Sequence, residues 1–182
     1  MGGTARRLAL EHDDRHFDVA GILWAHQRTG ARLIFDALHH RLYNPRAIPA
    51  PEALAICLST WPPGQTPKIH FAMPATEMVR DRKGRVHPPR LNRHSHYINP
   101  LAFIDFLRSL PPMRDFDVML EGRARDWPCC NCVAIWLVSR PIWYNDVALK
   151  VALASVTIQV RSLTPVSLQG MVATNGFRQT SR

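Results

Sequence analysis

Hydrophobic and polar positions in the first two thirds of the chain alternate between short apolar runs and longer amphipathic segments. Arg7-Leu-Ala-Leu-Glu11 reads as a short buried strand ending on polar residues, and Phe17 to Gly30 reads as a helix with Asp18 as N-cap and Gly30 as stop. Arg32-Leu-Ile-Phe-Asp36 repeats the strand, a polar loop with His39 and His40 follows, and Pro51 to Thr60 reads as a helix with proline in its first turn. Lys68-Ile-His-Phe71 is a third strand. Asn99 caps a helix to about Leu110, Pro111 and Pro112 stop it, and Phe116-Asp-Val-Met-Leu-Glu121 is a fourth strand. The order β-α-β-α-β-α-β predicts an α/β fold with a parallel sheet and right-handed crossovers. A doubly wound sheet and part of a (β/α)8 barrel both satisfy this order.

The placement of reactive side chains favours the barrel. Glu11, Asp36, Lys68 with His70, and Glu121 each fall at or near the carboxyl end of a predicted strand, where barrel active sites are built. One such residue is most simply a solvated strand terminus; four in succession are harder to dismiss. With His39 and His94 they form a mixed carboxylate and imidazole set suited to manganese, magnesium or zinc in a hydrolytic site. Asp36-x-x-His39 lets two side chains reach one ion, and in Lys68-x-His70 alternate strand residues point the same way. Trp24, Trp61 and Tyr97 read as packing residues, and His16, His26 and His87 as surface ones.

Composition narrows the field. With 46% hydrophobic and 20% charged residues among 182, the chain is globular rather than disordered or fibrous. Its longest apolar run, Ala148 to Val160, is broken by Lys150 and is shorter than the roughly 20 residues of a membrane-spanning helix. Met1 to Leu10 lacks the apolar core of a secretory signal, so the expected compartment is the cytosol. The net charge of +9 points to a polyanionic partner. Charge is unevenly spread: residues 1–126 hold 18 Lys and Arg, 13 Asp and Glu and all 9 His, whereas residues 127–182 hold 5, one and none. Arg80 to His96 alone carries six Lys and Arg against one Asp, in a loop that grips phosphates or is simply solvated.

The runs Leu10-Glu-His-Asp-Asp14, Phe35-Asp-Ala-Leu-His-His40, Pro67-Lys-Ile-His70, His94-Ser-His-Tyr-Ile98 and Phe116-Asp-Val-Met-Leu-Glu121, in that order and spacing, resemble the UV damage endonucleases. The resemblance implies a metal-dependent TIM barrel that cuts the DNA backbone 5′ to UV photoproducts. It further implies Glu11 and Glu121 as bridging carboxylate ligands, Asp36 and His39 on one ion, and His70 and His94 completing the cluster. Catalysis would rest on Glu11, Lys68 and Glu121. In that family the lysine matching Lys68 can be carboxylated and then serve as a ligand; the alternative is an ordinary phosphate-facing lysine. The expected cofactor is a divalent ion, manganese before magnesium or zinc, and the expected partner is UV-damaged double-stranded DNA. His12 stands where the family usually has Asn, and His96 where it usually has Asp, so the residues around the ligands are altered.

The resemblance covers about residues 4–126, the second half of the family's barrel. The first half, which supplies two further histidine ligands and lesion-probing residues, is expected to be missing or supplied by self-association or another chain. Such a half barrel leaves sheet edges unpaired and is expected to be marginally stable. Residues 127–182 form a separate, irregular tail. Starting one base earlier, at the last base of the Asp126 codon, the codons from Trp127 can be read as Leu-Ala-Leu-Leu-Gln-Leu-Arg-Arg-Asp-Leu-Ala-Arg, with the opening Leu and Ala forced by the code. A frameshift therefore accounts for the tail, and the Cys129, Cys130 and Cys132 cluster then carries no metal meaning. Two other functions fit fewer motifs: a sugar isomerase or epimerase on the same barrel, and a non-catalytic nucleic-acid-binding remnant that needs only the charge.

Overall fold

The computed structural model describes residues 8–123, together with the backbone of 147–151 and 157–162. Strand β1 spans Ala9–Glu11 and helix α1 spans Val19–Thr29. Asp18 caps α1 by accepting from the Gly21 amide at 2.9 Å, and Gly30 ends it in the left-handed region, φ 70°, with its amide on the His26 carbonyl. Strand β2 spans Arg32–Asp36. The expected polar loop after it is instead a short helix, α2, over Ala37–Leu42. Its cause is local: Asp36 closes β2 and also caps α2, its Oδ1 accepting from the His39 amide at 2.7 Å.

Helix α3 spans Ala50–Ser59 and strand β3 spans Lys68–Ala72. A two-strand hairpin of β4, Val79–Arg80, and β5, Val86–His87, follows. It turns at Gly84, φ 81°, a conformation that glycine adopts without strain. Helix α4 spans Pro100–Arg108 under an Asn99 cap, and strand β6 spans Phe116–Glu121. Strands β7, Val147–Val151, and β8, Thr157–Ser162, lie in the stretch expected to be irregular. There β8 pairs antiparallel with β6, and β7 with β8, so the free edge of β6 is extended by these two segments. The cysteine cluster lies outside the described residues.

The sheet runs β1-β2-β3-β6-β8-β7, and its first four strands are parallel and in chain order, without the reversal that marks a doubly wound sheet. Strand alternation separates its two faces. Leu33, Phe35, Ile69, Phe71, Phe116, Val118 and Leu120 point to one face and are buried in a single core with Val19 and Ile22 of α1, Leu54 and Leu58 of α3, and Phe103 and Ile104 of α4. Phe71 meets Phe103 and Phe106 with ring centroids 5.0 and 5.2 Å apart.

Polar groups bind the helix layer to the strands. Thr60 Oγ1 accepts from the Leu33 amide at 2.9 Å and donates to the Cys57 carbonyl at 2.7 Å, and buried Trp61 donates from Nε1 to the Leu33 carbonyl. The Arg114 guanidinium donates to the carbonyls of Leu58, Trp61, Pro62 and Gln65, capping the carboxyl end of α3 from the start of β6. Trp61 is thus a packing residue as expected. Trp24 and Tyr97 are not, being 58% and 63% exposed, and Trp24 carries the Arg28 guanidinium 3.7 Å above its ring.

Phe103 is fully buried between α4 and β3, and truncation leaves a cavity that neighbouring rings cannot fill. Phe103→Ala is expected to lower the unfolding free energy by about 3–5 kcal/mol in urea titrations; a loss below about 1 kcal/mol would mean the core is not packed as described.

Candidate metal centre

Register brings the reactive side chains together. Glu11 pairs with Ile34, Asp36 lies two residues further along β2 and pairs with His70, and Ala72, two residues beyond His70, pairs with Glu121. Paired residues in a parallel sheet share a face, as do residues two apart, so Glu11, Asp36, His70 and Glu121 all project from the face opposite the helix core. Glu11, Asp36 and Glu121 are the last residues of their strands, and His70 is the middle residue of β3. His39 joins them from the first turn of α2, because the Asp36 cap fixes where that helix begins.

Two groups of potential ligands result, Glu11 with Asp36 and His39, and Asp36 with His70 and Glu121; within each, one ligand atom per residue lies within 4.8 Å of the others. Asp36 is common to both. His70 Nδ1 is 3.2 Å from a carboxylate oxygen of Glu11 and 3.2 Å from one of Glu121, and His39 Nδ1 is 3.2 Å from Glu11. His94 approaches from the loop after the hairpin, its Nδ1 3.7 Å from Glu121 Oε2. That loop is tied to the strand ends by bonds from the Ala75 amide to the Arg93 carbonyl, from the Ser95 amide to Met73, and from the Arg123 amide to Ser95. Lys68 is placed differently from the expectation. It opens β3 rather than closing it, shares the face of His70 one alternation earlier, and is exposed.

Supporting residues set the orientation of these groups. His39 Nδ1–H donates to the His12 carbonyl at 2.9 Å, which leaves Nε2 as the ring atom that could ligate a metal on giving up its proton. His12 itself, 1% exposed, accepts the Asp36 amide on Nε2 at 3.0 Å. Burial, followed by the nearby His39 and His40, lowers the His12 pKa to about 4, so the ring is neutral and Nε2 can accept. The sequence marked His12 as a departure from the family pattern but gave no sign that its ring holds the strand carrying Asp36.

The charges in the cluster shift one another's titration. Burial pushes the Asp36 carboxyl up to about 6, with His39 only partly opposing it. Burial also acts to raise Glu11, but the imidazoles of His39 and His70 beside it bring it down to about 2. The same carboxylate raises His39 to about 9 against the effect of burial, and His70 moves upward against its burial through Glu11, Glu121 and Asp36. One buried atom facing this centre, Asp36 Oδ2, has no hydrogen-bond partner, while His70 Nδ1 is held between the Glu11 and Glu121 carboxylates. Carboxylate oxygens and imidazole nitrogens converging at this spacing, with an unpartnered carboxylate oxygen among them, fit a divalent ion of the manganese, magnesium or zinc type.

These features define an α/β protein with a carboxylate and imidazole cluster at the carboxyl ends of adjacent parallel strands. The chain belongs to the UV-endonuclease UvdE family, whose profile matches residues 3–133. It is 24% identical over 132 residues to a UV DNA damage endonuclease of Clostridium perfringens, covering 71% of this chain and 29% of that protein. It is 29% identical over 124 residues to a UV DNA damage endonuclease of Bacillus cereus strain Q1, covering 66% and 35%. The crystal structure of SacUVDE is similar at a TM-score of 0.54 and 28% identity, covering 74% of this chain and 39% of that one. The chain therefore spans about a third of the length of the curated relatives it matches.

Because the folded state raises the His39 pKa from 6.5 to about 9, that group's stabilisation is complete below pH 6.5 and is lost as pH rises through 9. The melting temperature of the metal-stripped chain is expected to fall between pH 6.5 and 9, and His39→Gln to flatten that fall; an unchanged pH dependence in the variant would contradict the His39–Glu11 pairing.

Proposed function

We propose that the chain carries part of the active site of a metal-dependent endonuclease that incises UV-damaged double-stranded DNA at the 5′ side of the lesion. The observation that carries this reading is the convergence of Glu11, Asp36, His39, His70 and Glu121, with His94 alongside, at the carboxyl end of one sheet face. The family membership agrees with it, as do the names of the relatives.

In this reading the four parallel strands are a section of a TIM-barrel wall, with the helix layer outside and the ligand face inside. Chain-ordered strands without a reversal support a barrel over a doubly wound sheet. Further strands would complete it. The family profile ends at residue 133, seven residues past the compositional seam at Asp126.

The residues divide the work by geometry. Glu11 and Glu121 stand on either side of His70, the position from which carboxylates can bridge two ions. Asp36 is anchored through Oδ1 and free at Oδ2, and His39 is fixed by the His12 carbonyl with Nε2 available. A divalent ion held by these groups, manganese before magnesium or zinc, supplies Lewis acidity toward a phosphodiester. Lys68, exposed on the same face, faces a DNA phosphate as an ammonium or, carboxylated, extends the ligand set. Mass spectrometry of the intact chain separates these two states.

UV-irradiated supercoiled plasmid is expected to be nicked in the presence of manganese faster than unirradiated plasmid, and His70→Ala to lower that rate about 100-fold or more. Folded protein that binds irradiated DNA without metal-dependent nicking would identify a binding remnant instead.

A further inference from the structure

The hairpin and the loop that follows it form a second feature beside the ligand cluster. Between them lies a cleft of about 860 Å³, at the upper end of the usual range of about 300–1,000 Å³ for ligand sites. Arg82, Arg90, Arg93, Arg123 and His96 line it against a single acid, Glu77. The other charged groups of the hairpin are turned to structural use. Asp81 accepts from the Lys83 and Arg85 amides and pairs at 3.0 Å with both the Arg85 guanidinium and His87, while Arg80 donates to the Gly84 carbonyl. By contrast, none of the four cleft arginines forms an ion pair with an acid among the described residues.

Four guanidinium groups around one concavity repel one another, and an anion in the cleft relieves that repulsion. Their planar forks match the oxygens of a phosphate. The cleft also has a fixed relation to the ligand cluster. Arg93 precedes His94, Arg123 lies two residues after Glu121, and the bond from the Arg123 amide to the Ser95 carbonyl locks the two segments together. Gly122 permits this approach, since a Cβ there would meet the His96 carbonyl oxygen at 3.0 Å.

We propose that this arginine-lined cleft binds backbone phosphates of the DNA strand that passes over the Glu11, Asp36, His70 and Glu121 cluster, holding the duplex beside the site of incision. The assignment rests on the DNA-directed reading above and adds the surface that would position the substrate. Its contribution is electrostatic and independent of sequence and damage, because phosphate contacts fix register without reading bases.

The test is fluorescence anisotropy of a labelled DNA duplex, irradiated and unirradiated, with the full chain in EDTA so that no incision occurs. Arg82→Gln/Arg90→Gln/Arg93→Gln is compared with Arg15→Gln/Arg28→Gln/Arg41→Gln, which removes the same charge away from the cleft, and melting curves establish that both variants fold. The cleft variant is expected to lose at least tenfold in affinity for both duplexes. Its slope of log K against log salt is expected to flatten by about 2 to 3, at roughly 0.9 per lost phosphate contact. Equal losses in both variants would reduce the effect to net charge and overturn the cleft, as would a cleft variant that binds like wild type or a wild-type chain that binds neither duplex. Loss confined to the cleft variant, in a wild-type chain that binds DNA but never nicks it, would retain the cleft and reject the endonuclease reading.

Discussion

Strand register forces three carboxylates, Glu11, Asp36 and Glu121, onto one face and one end of a parallel sheet, around the imidazole of His70. Like charges this close cannot all persist in a partly buried setting without compensation. In the metal-free chain compensation comes from protons: Asp36 is pushed up to about 6, His39 is raised to about 9 and so carries positive charge at neutral pH, and the carboxylates move His70 in the same direction. A bound divalent ion would supply the same compensation, drawing on Asp36 Oδ2, which lacks a hydrogen-bond partner, and on the His70 nitrogen between the two glutamates. Protons and such an ion would compete for one set of groups.

The remainder of the fold keeps that set in place. The apolar faces of β1, β2, β3 and β6 pack under α1, α3 and α4, which fixes the strands that carry the ligands. The Thr60, Trp61 and Arg114 bonds secure the strand starts to the carboxyl end of α3, and the Asp36 cap makes the position of His39 a consequence of where β2 ends. His12 adds a buried neutral ring whose Nε2 takes the Asp36 amide and whose carbonyl takes His39. On the outer side, one short network pins the loop bearing Arg93 and His94 to the ends of β3 and β6, which couples the basic cleft to the ligand cluster.

Much of this was legible in the chain, for identifiable reasons. The bounds of β2 and β6 were plain because both strands are apolar runs ending on a carboxylate, and α1 announced itself through Asp18 and Gly30. Helix α2 was read as a loop because Asp36 has two roles, and its part as strand end concealed its part as helix cap. The spacing places Lys68 on the face of His70 and at the start of the third strand, as in β3; what it does not support is grouping Lys68 with the residues at the carboxyl ends of the strands. The pattern does not predict the β4–β5 hairpin because its strands are two residues long and crowded with charge, leaving Asp81 and Gly84 as its turn signals. The division of its arginines into structural and cleft-lining sets depends on three-dimensional partners and has no signature in the sequence. Residues 127–182 are expected to be irregular, yet β7 and β8 form there along the edge of β6.

The claim on which the account turns is that the carboxylates and imidazoles at the strand ends form one divalent-metal centre. Titrating manganese into the metal-stripped chain while following the free-ion signal by electron paramagnetic resonance measures that directly, with Asp36→Asn, checked for folding by circular dichroism, as the comparison. The wild-type chain is expected to suppress the free-ion signal until its sites fill, and Asp36→Asn, which alters the ligand common to both groups, to weaken binding by about 10–100-fold or more. A free-ion signal that tracks total manganese alike in the folded wild type and the variant would contradict the account.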